Sequence, residues 1–113
     1  MIRVKRVYDD PDSGDGVRIL VDRMWPRGLS KEQAAVDVWM KDVAPSGELR
    51  RWFGHEPERW AEFKRRYRGE LQTNGGALET LKARARGQMV TLLFAARDME
   101  HNNAVALREF LEE

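Results

Sequence analysis

The chain contains no cysteine. Disulfides, thiolate metal sites and thiol nucleophiles are therefore excluded, and a cytoplasmic location is expected. Histidine is scarce, with His55 and His101 the only two. Neither belongs to an H-x-x-x-H or H-E-x-x-H pattern, so a zinc site would depend on carboxylates, and no metal is expected. No apolar run approaches the ~20 residues that span a membrane. The opening M-I-R-V-K-R-V lacks the apolar core of a secretory signal, and no membrane partner is expected. Charge of one sign is missing too: 20 Lys and Arg nearly cancel 19 Asp and Glu, for a net charge of +1. A global pull toward nucleic acid is thus absent, and any preference for anions must be local. There is no P-loop, no G-x-G-x-x-G fingerprint and no nucleophile elbow, so no cofactor and no reaction class is specified.

What is present bounds the architecture. A length of 113 residues suits a single domain, 1–113, with one core. Hydrophobic residues make up 42% and charged ones 35%, the balance of a globular chain with a heavily charged surface. The organising stretch is V-R-I-L-V-D-R-M-W-P-R-G-L-S, from Val17 to Ser30. Val17, Ile19, Leu20 and Val21 are apolar and mostly β-branched, as in a strand buried on both faces. Asp22 and Arg23 stand at its exit, Pro26 stops it and Gly28 permits a tight turn. Ser30 then reads as a helix N-cap with Gln33 as its capping-box partner. Strand, charged exit, turn and capped helix is how open α/β folds build ligand sites at strand C-terminal ends.

Around this stretch, residues 2–8 alternate Ile2 and Val4 against Arg3 and Lys5, an edge strand with one charged face. The acidic turn 9–16 is too short for the usual parallel crossover, which predicts an antiparallel hairpin between the first two strands. Residues 36–41 alternate again as a third strand. Ser46 caps a helix that stops at Gly54, and Pro57 opens another. On that helix Trp60, Phe63, Tyr67 and Leu71 form a core stripe. Ala77 to Arg86 is amphipathic. Met89 to Ala96 is the most apolar run and reads as a central strand, leading through R-D-M-E-H-N-N into a last helix. The hydrophobic centre is expected to include Leu20, Leu92, Leu93, Trp60, Phe63 and Leu107. The fold class expected is α/β, one compact domain with a small, mostly parallel sheet of three or four strands surrounded by helices. If the two apolar strands are parallel, their charged exits lie side by side.

Three motifs in order resemble a known family. They are V-L/I-V-D-R-x-W-P-R-G-L-S-K-E, L-R-x-W-F-G-H-x-P-E-R-W and T-L-L-x-A-A-x-D-x-E-H-N-N-A-V. The family is that of the small bacterial YeaO-like proteins, domain-of-unknown-function family 488. The resemblance covers nearly the whole chain and implies a compact cytoplasmic α/β domain without supplying a reaction. Longer members carry L-L-C-A-E-K-D-P-x-x-C-H-R, where this chain has Phe94 and Asn102 in place of the cysteines. Any thiol chemistry of those members does not transfer. They also place a helix between strands one and two, which implies a parallel pair.

The candidate site lies at the strand exits. Arg23, Arg27 and Arg97 suit a phosphate or carboxylate; alternatively Arg23 pairs with Asp98, or Arg97 with Asp22, as structural ion pairs. Asp22 and Asp98 are candidate catalytic carboxylates that could bind a metal or share a proton, or else caps and ion-pair partners, with Asp98 placed to cap the last helix. His101 is a candidate acid or base, and Asn102 and Asn103 are candidate ligand contacts or helix caps. Trp25 is either a pocket wall or a cover for the sheet edge. The basic block within residues 59–68 either tracks a phosphate backbone or is the solvated face of a helix. Three functions follow. The first is a domain, enzyme or not, that holds a small anionic and perhaps phosphorylated ligand at the strand ends. The second is a nucleic-acid module built on residues 59–68. The third is a protein-interaction domain, which would show a dry, fully ion-paired strand-end region. No oligomeric state is indicated.

Overall fold

The computed structural model describes residues 1–113. Its most apolar run forms β4, Val90–Phe94, with every residue buried. A strand covered on both faces has no need of polar alternation, which is why this one reads as a continuous apolar run. It lies inside a four-stranded sheet ordered β1-β4-β2-β3, where β1 is Ile2–Arg6, β2 is Val17–Leu20 and β3 is Val38–Trp39. All pairings are parallel. On one side of β4, Ile2 stands opposite Val90 and Arg6 opposite Phe94. On the other, Val17 faces Val90 and Leu20 faces Leu93. The third strand is shorter than its alternation suggested: only Val38 and Trp39 pair, with Ile19 and Leu20, before a 3-10 turn at Lys41–Val43.

The expected antiparallel hairpin does not form. β1 and β2 run parallel with β4 between them. The loop-length rule applies to strands that touch, whereas residues 7–16 lead to a strand beyond β4. They do so without a full helix, through a 3-10 turn at Ser13–Asp15 capped by Asp12. That turn is fastened to the sheet by charge. Asp15 is completely buried. It accepts from Arg3 Nη1 at 2.8 Å, from Lys5 Nζ at 3.2 Å and from Arg18 Nη1. Arg18 in turn donates to the carbonyls of Ala34 at 2.8 Å and Ala35 at 2.9 Å. Gly16 has φ +65 and a Cβ there would collide with the Met89 carbonyl, so the approach to β2 admits only glycine.

Helices cover the two faces unequally. Side chains alternate between faces along a strand. Ile19, Val21, Val90, Leu92 and Phe94 therefore share one face, and they meet four helices there: α2, Gly47–Phe53; α3, Trp60–Gln72; α4, Ala77–Ala85; and α5, Asn103–Leu111. This cluster holds 18 buried residues, including Phe63, Tyr67 and Leu71 of the expected stripe, with Trp60 partly buried against it. On the opposite face Leu20, Leu93 and Val7 meet Ala34 of α1, Lys31–Ala34, in a cluster of 4. The expected single centre is thus two, because adjacent residues such as Leu92 and Leu93 cannot point the same way.

Helix ends follow the sequence reading. Ser30 and Gln33 form the capping box of α1, Ser46 caps α2 and Gly54 ends it with φ +53. The cap of α5 is Asn102, whose side chain accepts from Val105 N at 3.0 Å. Asp98 does not cap that helix, because residues 98–101 make a turn of their own first.

Candidate functional site

Because β2 and β4 are parallel neighbours, the chain leaves both at the same edge of the sheet. A cleft of about 680 Å³ opens there. The exit of β2 contributes Asp22, Arg23, Met24, Trp25, Pro26 and Arg27, and the exit of β4 contributes Ala95 and Ala96. The start of α5 adds His101, Asn102 and Asn103, while α2 and the turn after it add Arg50, Arg51 and His55.

Asp22 forms the floor. Its Oδ2 accepts from Ala95 N at 2.9 Å and its Oδ1 from Asn103 Nδ2 at 3.1 Å. The same Asn103 amide donates to the Val21 carbonyl at 2.8 Å, so Asn103 ties the start of α5 to the exit of β2. Burial pushes the Asp22 carboxyl above its ordinary range; the Ala95 N–H, the Asn103 amide and the charge of Arg50 oppose this without cancelling it.

Arginines form the rim. Arg23, Arg27, Arg50 and Arg51 are exposed along the cleft, and none takes part in an ion pair. Arg23 reaches only the Pro45 carbonyl, at 3.5 Å. The alternative pairings, Arg23 with Asp98 and Arg97 with Asp22, do not form. Arg97 is exposed but does not line the cleft. Arg51 folds back along its own helix: a Cβ at Gly47 would stand 3.2 Å from its Nη1.

His101 lines the cleft and Asp98 stands behind it. The Asp98 Oδ2 lies 3.0 Å from His101 Nδ1, and its Oδ1 accepts from the N–H of Glu100 at 2.9 Å and of His101 at 3.0 Å. The Glu100 N–H holds the Asp98 carboxyl below its usual range; burial opposes, and the His101 ring and N–H assist. Trp60 meets the His101 ring edge-on at 5.4 Å. Asp98 therefore positions the imidazole and does not face the cleft. Asn102 is buried; its Oδ1 accepts from Val105 N and its Nδ2 donates to the Asp98 carbonyl at 2.9 Å, so its polar atoms serve the turn.

Trp25 satisfies both readings. Its Nε1 donates to the Leu29 carbonyl at 2.8 Å and its ring packs edge-on against Trp39 at 5.4 Å, yet it also lines the cleft. The helix end at Ser30 does not. α1 is one turn long, its capping box engages the N–H groups of Ser30 and Gln33, and Ser30 lies outside the lining.

Arg50, Arg51 and Tyr8 escaped sequence reading as site residues. The two arginines look like any solvated face of an amphipathic helix, and only the packing of α2 against α3 turns them toward the strand exits. His55, read only as an unpromising zinc ligand, lies in a left-handed turn with φ +58 that follows Gly54. No group of three or more His, Asp or Glu side chains is gathered closely enough to hold a metal ion. The basic block on α3 is paired off: Arg65 and Arg66 with Glu62, Arg68 with Glu113, and Lys64 with Glu109. No helix is long and apolar enough to cross a membrane.

These features define a class, a parallel α/β domain whose strand exits open onto an arginine-rimmed cleft. The whole chain, residues 1–113, matches the family model described as the inactive DUF488-N3 subclade, and the chain belongs to that family. It is 46% identical over 110 residues to an uncharacterized protein of Mycobacterium tuberculosis, covering 97% of this chain and 92% of that protein. It is 42% identical over 110 residues to the uncharacterized protein YeaO of Escherichia coli, covering 97% of this chain and 96% of YeaO. The family read from the three motifs is thus the family found. No solved structure matches the chain.

Proposed function

We propose that the strand-end cleft binds a small anionic, phosphate-bearing ligand. The carrying observation is the imbalance at its rim: four guanidiniums without ion-pair partners surround one carboxylate that is already engaged by neutral donors. Guanidinium forks match phosphate oxygens in pairs, and such charge-assisted bonds are about twice as strong as neutral ones. Arg23, Arg27, Arg50 and Arg51 hold the anion. Trp25 walls the pocket, and Asn103 ties the start of α5 to the exit of β2. Asp22 and His101, the latter set by Asp98, face the ligand as hydrogen-bonding groups. The family model's description of its subclade as inactive favours binding over turnover. A nucleic-acid module on residues 59–68 would need free cations there, and most of that block is spent on glutamates. A protein-interaction domain would have closed the strand ends with ion pairs, which is the opposite of what surrounds Asp22.

The test is thermal unfolding with and without phosphate or sulfate. Wild type gains melting temperature with anion concentration, as linkage requires for a ligand of the folded state. Arg27→Ala leaves the melting temperature without anion nearly unchanged, since exposed side chains usually contribute within about 0.5 kcal/mol, but it loses most of the anion's protection. If wild type gains nothing from either anion, or if Arg27→Ala is protected equally, the reading falls.

A further inference from the structure

We infer that the ligand is a phosphate monoester carrying a planar ring, the chemistry of a nucleoside monophosphate, rather than a bare anion. This rests on the anion site proposed above and names what fills the remainder of the cleft. The first observation is size. At about 680 Å³ the cleft falls within the ~300–1,000 Å³ range of pockets that enclose whole organic ligands. Inorganic phosphate or a small carboxylate would leave most of it to water.

The second observation is the lining beside the arginines. Trp25, Tyr8, Phe53 and Phe63 all reach the cleft. Two of them are fixed by their polar ends. Trp25 is held by its bond to the Leu29 carbonyl and by Trp39. Tyr8 donates its hydroxyl to the Arg27 carbonyl at 3.0 Å, and the Arg6 guanidinium stands 5.0 Å from the centre of its ring. Rings immobilised in this way offer flat apolar surface without an ordering cost, and every base has a face that can stack on them. The Tyr8 bond also ties an aromatic wall to the backbone of Arg27, so ring surface and guanidinium are presented from one fastened turn. Phosphate esters with a purely polar body, such as a sugar phosphate, would leave these rings facing water.

Isothermal titration at fixed ionic strength separates the levels. The probes are inorganic phosphate, ribose 5-phosphate, phenyl phosphate and the four common ribonucleoside monophosphates. At least one ring-bearing monoester binds tenfold or more tightly than ribose 5-phosphate. Nucleotide binding without binding of phenyl phosphate assigns the recognition to the base and sugar together, whereas comparable binding of both assigns it to the ring alone. Trp25→Leu keeps apolar bulk but removes the ring face. It erases the tenfold advantage, read as the ratio of ring-bearing monoester affinity to ribose 5-phosphate affinity in the same variant. Tyr8→Leu, at an exposed position, gives the same readout should the tryptophan variant fail to fold. If ribose 5-phosphate binds as tightly as every ring-bearing probe, or if both variants keep the advantage, the ring inference is overturned and the anion site stands. If nothing binds, both fall.

Discussion

Asp15 and Asp22 flank the same strand, β2, and bond respectively to β4 at Thr91 and to Ala95 just past its end, yet they are held in opposite ways. Asp15 is completely buried among Arg3, Lys5 and Arg18, and its own carbonyl accepts from Thr91 Oγ1 at 2.7 Å. Burial pushes its carboxyl up, but the Asp12 N–H and the three cationic side chains outweigh that and hold it at about 2. Asp22 is half-buried, has no ion-pair partner and meets only amide donors directly, so burial dominates and raises it. Each arginine-rich region is therefore legible from its carboxylate. Where the carboxylate is surrounded by cations, charge is closed upon itself and serves to fasten a loop. Where the carboxylate is kept from the cations, positive charge is left facing outward.

The contrast is broken most severely at Asp15. Asp15→Asn leaves the Arg18 side chain, 5% exposed, without a counter-charge. Removing one partner from a buried pair costs about 3–5 kcal/mol, read by urea unfolding at neutral pH; a loss below about 1 kcal/mol would show the knot to be ornamental. The next probe cuts between the two carboxylates. Leu92→Ala, in the cluster of 18, costs about 2–5 kcal/mol through transfer and cavity terms and weakens both sites together. A loss near zero would mean that β4 is not the common support. An acid titration then sharpens the comparison. The Asp15 contribution is complete above pH 3.8 and is lost as the pH falls toward about 2. Asp22 has the opposite sign: its raised carboxyl favours the folded state at low pH, and that advantage fades as the pH rises through its folded value. Asp22→Asn should therefore change stability by no more than about 1 kcal/mol at neutral pH, the scale of one hydrogen bond, and should lose the relative gain that wild type shows as the pH falls through the raised value of the Asp22 carboxyl. A large loss would reveal an ionic role for Asp22 that its neighbours do not show.

Local chemistry was readable in the residues. Ser30, Ser46 and Asn102 announce helix starts because a short polar side chain before an apolar stripe has a backbone N–H to satisfy. The run from Val90 to Phe94 announces a central strand because nothing polar interrupts it. Which strands touch was not readable. Alternation reports the faces of a strand and says nothing of its neighbours, so β1 and β2 looked adjacent when β4 lies between them. The site divides likewise. Asp22, Arg23, Trp25 and Arg27 follow directly from a strand exit and line the cleft. Arg97 and Asp98 follow the other exit by the same logic, yet the turn at residues 98–101 carries them off the cleft wall. Arg50 and Arg51 reach the cleft only through the packing of α2, which leaves no trace in local spacing.

The placement of β4 also governs the order in which the molecule can assemble. In the sheet it stands between β1 and β2, but along the chain it follows both, with α1 to α4 intervening. As the polypeptide emerges during synthesis, its first strand has nothing to pair with and its second can recruit only the two residues of β3. Contacts so distant along the chain must meet the entropy of loop closure before they return any stability, and until then the strand edges stay open to other chains. Arg3, Lys5 and Arg18 lie on the strands that wait. Charge on an unpaired edge discourages pairing with foreign strands, so the same cations that later enclose Asp15 guard the nascent chain until β4 arrives.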